Sequence, residues 1–339
     1  MPIHRLLLAL ALAAIAALTV AAPAGADAYL PPSGKVWSGV VGGSEIADFE
    51  QRTGKHPAVW QHWIQWDGSL GGALERSANA RTRAMLHVST AAQQDQPGRI
   101  APGEIARGAG DGFLLDLNRA LARHGQPVYL RLMAEMNNCH SAYSSHACNG
   151  RRRGADHSPT AFKQAWRRAF IVVNGGSTAS MDARLERLGM PALRTGADQL
   201  ERPRVAFVWA PMTGGSPMIA ALRPAAFWPG AGYVDWVGTS FYSKFPNFHY
   251  LEPYYRAFAD RYRKPLALAE WAVWGADAPG FVDRLFGWAR SHPRTRMMLY
   301  NQGQNPAGPF RLRNFPRSQA ALRRQLASQR FPAFADQDR

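Results

Sequence analysis

Short apolar runs recur along this chain of 339 residues, each followed by a longer amphipathic segment, and that alternation restricts the fold more than any other feature. The runs are "KVWSGVVGG", "AVWQHWIQW", "RAMLHVST", "PVYLRLMAE", "RVAFVWAP", "VDWVGTSFY", "PLALAEWAVW" and "RMMLYNQ". Helical segments lie between them. "SEIADFEQRTGK" carries Ser44 as its expected N-cap. In "DGFLLDLNRALARHG", Phe113, Leu114, Leu117 and Leu121 share a face and Gly125 stops the helix. "SPTAFKQAWRRAFIVVNGG" starts at Ser158 with Pro159 in its first turn. "LEPYYRAFADRYRK" and "GFVDRLFGWARSH" continue the series. Strands that are apolar almost throughout belong to a parallel sheet covered on both faces. Eight such βα units predict a single-domain α/β fold, a (β/α)8 TIM barrel, spanning residues 30–332. The alternative, a doubly wound open sheet, lacks its glycine-rich dinucleotide fingerprint after the first strand. No domain-scale linker interrupts the pattern, and Arg194 to Arg204 reads as loop.

The first residues obey a different rule. Arg5 precedes an apolar run from Leu6 to Val20, and "AAPAGADA" follows. This is the pattern of a secretory signal peptide, residues 1–26, with cleavage expected near Ala26 or Ala28. The run is shorter than the roughly 20 residues a bilayer-spanning helix needs. The expectation is an exported, soluble chain with no membrane insertion once the leader is removed.

Composition bears on partners. The formal charge is +16, and one of those charges, Arg5, leaves with the leader. The arginines are dispersed, with short clusters only at Arg151–Arg153 and Arg323–Arg324, and no nucleic-acid-binding motif accompanies them. Nucleic acid is therefore not expected as a partner; solubility, or weak attraction to anionic cell-wall polymers, accounts for the sign. Eleven tryptophans suit either a large core or platforms for sugar rings.

Two cysteines, Cys139 and Cys148, predict one short disulfide loop in an exported chain. Two free thiols would be a hazard outside the cell. A metal site shared with His140 and His146 would crowd its ligands into a spacing unlike known zinc sites. No metal or cofactor is expected.

In a barrel of this kind the chemistry sits where the strands end. Glu135 ends "PVYLRLMAE" and Glu270 ends "PLALAE", half a barrel apart, so the two can meet across the mouth. A carboxylate after an apolar run has either a partner or a task. On this strand Arg131, Met133 and Glu135 point to one face, so Arg131 and Glu135 are both expected to face the barrel interior. A simple Arg131–Glu135 ion pair is one reading; paired acids for glycoside hydrolysis is the other.

The sequence resembles glycoside hydrolase family 26, whose members are mainly β-mannanases. The resemblance runs from about Trp37 to Phe315 and rests on ordered pieces: "GVVGGSEIADFEQRTGKHPAV", "IAPGEIARGAGDGF", "GQPVYLRLMAEMN", "AFKQAWRRAF", "RVAFVWAPM", "YVDWVGTSFYS" and "LALAEWAVWG". It implies Glu135 as general acid/base and Glu270 as nucleophile. It also implies Tyr242 as the residue holding the nucleophile, Trp209 as a wall of the sugar cleft, and Arg131 beneath both acids. The substrate implied is a polysaccharide or oligosaccharide, most readily β-1,4-mannan or glucomannan; for an exported enzyme degrading such a polymer, a monomer is the default expectation.

The sequence also departs from the family. Ala134 stands where the family has a His before the acid/base, and "MNNCHSAYSSHAC" replaces an aromatic-bearing loop. Asn137, Asn138, His140 and Tyr143 are candidates to restore the missing sugar contacts. Further candidates are Trp66 at the end of the second run, Trp274 after the nucleophile and His87 in the third run; Trp60 reads as core, and Trp63 and Trp271 are aromatic candidates beside them. Two other readings stay open: a non-catalytic carbohydrate-binding barrel, and a related β-glucanase or xylanase.

Overall fold

The structure, a computed structural model, describes residues 29–42, 46–89, 100–305 and 307–335. The expected leader and the Ser44 cap lie outside those residues. Eight strands form the frame: β1 (Trp37–Gly42), β2 (Val59–Gln65), β3 (Arg83–Ser89), β4 (Val128–Leu132), β5 (Val205–Trp209), β6 (Trp236–Tyr242), β7 (Leu266–Ala272) and β8 (Thr295–Gly303). Each pairs in parallel with its sequence neighbours, and β8 closes on β1, so the sheet is the expected closed (β/α)8 barrel.

Alternation along the strands divides the core in two. One buried cluster draws members from all eight strands and from no helix; Trp37, Val59, Met85, Tyr129, Ala206 and Trp236 belong to it. It fills the barrel. The residues of opposite parity, such as Leu130, Phe207 and Leu268, pack outward against the helices.

The helices are α1 (Ile46–Thr53), α2 (Gly71–Asn79), α3 (Pro102–Ala106), α4 (Asp111–His124), α5 (Pro159–Asn174), α6 (Thr178–Arg187), α7 (Phe248–Tyr254), α8 (Pro279–Ser291) and α9 (Pro316–Leu326). Local chemistry sets several boundaries. Gly125 ends α4 with φ +68°, in the left-handed region, and its N–H donates back to the Leu121 carbonyl. Ser158 caps α5 by accepting from the Ala161 N–H, and Pro159 sits at the first helical position, where no amide donor is missed. The stretch 194–204, expected to be loop, contributes Gln199–Leu200 to a short antiparallel ribbon with Gly176–Ser177. The expected strict alternation fails once: between β5 and β6 there are only short 3-10 turns, Ala220–Leu222, Pro224–Phe227 and Ala231–Tyr233. Pro211, Pro217, Pro224 and Pro229 fall in this segment, and each lacks a helical N–H donor.

The end of the barrel opposite the mouth is sealed by the chain before β1. The Tyr29 carbonyl accepts from the Tyr129 hydroxyl at 2.5 Å, the Arg83 guanidinium at 3.1 Å and the Trp37 indole at 3.4 Å.

Candidate active site

The two glutamates reach the mouth by two different backbone devices. On β4, Arg131 points inward and Leu132 outward, and there the strand ends. Met133 and Glu135 then adopt φ of +46° and +53°, which L-residues adopt rarely. The straight-strand expectation that 131, 133 and 135 share a face is therefore corrected: Met133 is buried in the outer core, and a turn, not strand parity, delivers Glu135. The Glu135 amide is fixed on the Ala210 carbonyl at 2.8 Å. On β7, Ala267 and Ala269 face the interior, so simple alternation would send Glu270 outward. The register with β6 shifts between Thr239 and Ser240, so that Ser240 stands opposite Glu270. A bulge of this kind re-aims a side chain beside a site. Here it returns Glu270 to the interior and leaves Trp271 in the outer core against Tyr300.

Three donors converge on Glu270. Arg131 reaches Oε2 at 2.5 Å, while the Tyr242 hydroxyl and the Asn301 amide reach Oε1 at 2.5 and 2.9 Å. Asn301 also donates to the Tyr242 oxygen at 2.9 Å, which fixes that hydroxyl's orientation towards the carboxylate. Burial, then the charges of Glu270 and Glu135, push the Tyr242 hydroxyl well above its ordinary range, so it remains a donor. Arg131 is fully buried, and its second terminal nitrogen lies 4.0 Å from Glu135 Oε1 and donates to Ser240 at 2.8 Å. One guanidinium thus faces both acids. Glu135 is the more exposed of the two, with 27% of its side chain open against 11% for Glu270. Its Oε2 accepts from Asn138 at 3.1 Å.

His87 completes the floor. Arg131 donates to its Nδ1 at 3.3 Å, so that nitrogen is an acceptor and the proton sits on Nε2. Burial, with Arg131 alongside, holds the ring well below the usual imidazole range, so it is neutral. His87 lines a cleft of about 490 Å³ together with Trp63, Ala134, Glu135, Asn138 and His140.

Other expected contacts are redirected. Trp209 lines no cleft: it is fully buried and packs outward on Trp228, Tyr254 and Phe258, because the inward positions of β5 are 206 and 208. Trp66 packs on Phe113 of α4 in the same outer layer. Asn137 is fully buried and ties two loops, with its amide donating to the Met212 carbonyl and its carbonyl accepting the Met212 amide. Tyr143 is buried in the outer core. Trp60 is buried and donates to the Gly42 carbonyl. Trp274 stands at the mouth, edge-on to Tyr242 and Phe310, with the Lys244 ammonium 4.6 Å from its ring centre.

Cys139 and Cys148 are bonded to each other. With His140 they form the one metal-sized ligand group among the described residues, but both sulfurs are spent on the disulfide. The loop they close is further held by Arg153, which donates to the carbonyls of Cys139, Ser141 and Ser144. Asn301, Ser240 and Gln61 were not singled out by sequence. The position of Asn301 at the polar end of "RMMLYNQ" is the signal that could have found it.

A closed parallel barrel with two carboxyl groups over one buried arginine at its mouth defines the class by fold: a (β/α)8 barrel. No protein-family model matches the chain, and no curated protein matches it. Solved structures do. A modular endo-β-1,4-mannanase of glycoside hydrolase family 26 from Cellulomonas fimi is similar over 91% of this chain and 75% of its own, at 12% identity and a TM-score of 0.60. A mannanase from Bacillus subtilis covers 85% of each chain at 15% identity, with a TM-score of 0.54. A family 26 β-mannanase from Bacteroides ovatus covers 93% of each at 14% identity and 0.55. At these identities the similarity is one of fold. Among the described residues no helix is long and apolar enough to cross a membrane.

Proposed function

We propose that the protein is a secreted, monomeric, retaining glycoside hydrolase of the family 26 type that cleaves β-linked polysaccharide, with β-1,4-mannan or glucomannan as the leading substrate. The observation that carries this is the unequal treatment of two carboxyl groups over one guanidinium. Glu270 is clamped by Arg131, Tyr242 and Asn301, which meet its negative charge and fix the carboxylate in place. Glu135 stands on the cleft wall, more exposed, with one amide donating to it and the Arg131 guanidinium at 4.0 Å.

The reaction follows from that asymmetry. Protonated Glu135 gives its proton to the glycosidic oxygen as the bond to the anomeric carbon breaks. Glu270 attacks that carbon and forms a glycosyl ester. Glu135, now a carboxylate, takes a proton from water, which attacks the same carbon and releases Glu270. The configuration is retained because the carbon is inverted twice. His87 Nε2–H and Asn138 are placed to donate to sugar hydroxyls, and Trp63 and Trp274 offer ring faces at the mouth. The fold likeness to solved mannanases supports the choice of substrate.

The test is reducing-end release from glucomannan, galactomannan, lichenan and xylan by the wild-type protein and by Glu270→Ala. The expected loss in the variant is at least ~1000-fold in kcat. Equal backgrounds from both proteins on every polymer would instead leave a carbohydrate-binding barrel.

A further inference from the structure

Beyond the cleft at Glu135 the mouth has a second compartment, between the ends of β1 and β2, of about 400 Å³. Trp63 and Gln304 line both spaces, so the two adjoin. The Trp63 ring lies over Gly42, where any Cβ would overlap it, so the absence of a side chain at 42 sets the ring's place between the compartments. Three features of the second compartment concern charge. The guanidinium of Arg76, from α2, lines it and makes no hydrogen bond or ion pair among the described residues. Gln61 lines it as well; it is fully buried, and its Nε2 donates to nothing, although a buried amide donor without a partner is costly. Finally, no carboxylate is among the residues lining the second compartment, so none of them competes for Arg76.

From these we infer that the β1–β2 compartment is a subsite for an acidic sugar unit: a uronate carboxylate paired with Arg76, its ring beside Trp63. The inference rests on the glycoside-hydrolase reading above and narrows its substrate to chains that carry carboxylate-bearing sugars away from the point of cleavage. An unpaired guanidinium is a carboxylate receptor by its fork geometry, and an orphaned amide donor adds a second hydrogen bond to the same group or to a neighbouring hydroxyl. The chain's formal charge of +16 draws an acidic polymer towards the mouth before any of these contacts forms.

Binding without turnover separates this subsite from the chemistry. In a Glu270→Gln background, calorimetry would compare β-1,4-linked hexasaccharides of mannose and glucose that are neutral, that carry one glucuronate, or that carry one sulfate ester. The glucuronate chain is expected to bind about 10-fold more tightly than the neutral one, and Arg76→Gln to bring that ratio close to one. Arg76 is solvent-exposed on α2, so its replacement leaves the fold intact. A ratio near one with Arg76 present, a ratio indifferent to Arg76→Gln, or a gain confined to the sulfated chain would each overturn the inference. If the wild-type protein hydrolyses a neutral polymer while the ratio stays at one, the subsite alone is wrong. If the ratio responds to Arg76 but no polymer is cleaved, the subsite stands and the hydrolase reading falls.

Discussion

At the residue scale the site is organised around Arg131, and what surrounds it was only partly legible in the sequence. Arg131, Glu135, Tyr242 and Glu270 are polar residues ending or following apolar runs, and burial of such groups is costly enough to single them out. The structure gathers all four at the mouth. Asn301 was missed because a lone Asn near a strand end has many ordinary uses. Trp209, Trp66, Asn137 and Tyr143, expected at the cleft, lie elsewhere. A strand that is apolar on both faces gives no parity signal, so the inward side of β5 cannot be read from its own residues. Asn301 supports one prediction. Its amide bridges Tyr242 and Glu270, so Asn301→Ala removes one charge-directed donor and frees the tyrosine hydroxyl to rotate. The expected loss is on the order of 100-fold in kcat, with KM little changed. Steady-state kinetics on a defined oligosaccharide reads both; a rise confined to KM would place Asn301 in sugar binding instead.

At the scale of elements, legibility followed the strength of local chemistry. The α4 and α5 boundaries were set by Gly125 and by Ser158–Pro159, and the structure keeps both. The bulge in β7 and the left-handed turn after β4 had no sequence mark, because neither contains a glycine. The contact between β2 and α2 carries a pH prediction. His62 of β2 is buried against Ser77 of α2, its Nε2 2.8 Å from the hydroxyl. Burial, with Arg76 adding repulsion, lowers its pKa to about 4. Above the unfolded value of roughly 6.5, both folded and unfolded chains hold a neutral ring and stability does not depend on it. As pH falls below that value, the unfolded chain binds the proton first, so stability drops until the folded ring titrates near 4. The loss amounts to something on the order of 3 kcal/mol. Urea unfolding of wild type and His62→Gln across this range measures it: the variant should lack that part of the slope, and parallel curves would mean that His62 is not the group responsible.

At the scale of the whole molecule, the eightfold alternation of apolar runs and amphipathic segments carried the architecture, and the missing dinucleotide fingerprint set it apart from an open doubly wound sheet. The exception, the helix-free unit between β5 and β6, follows from its prolines. The barrel floor gives a third prediction. Deleting residues 29–34 withdraws the Tyr29 carbonyl from Tyr129, Arg83 and Trp37, and the carbonyls of Pro31 and Pro32 from Arg296. A loss on the order of 3 kcal/mol is expected, read as a lower urea midpoint; an unchanged midpoint would mean that water replaces the lost acceptors. The same floor sets a timetable. The Val36 amide donates to the Arg330 carbonyl, Lys35 reaches the Gln329 carbonyl, and β1 pairs with β8, so the opening of the chain is seated by its close. While the polypeptide is still being synthesised, β1 has no β8 beside it and the floor has no far wall. The barrel can seal only after the last strand has left the ribosome, and until then β1 and the residues before it wait unpaired for a wall that is not yet made.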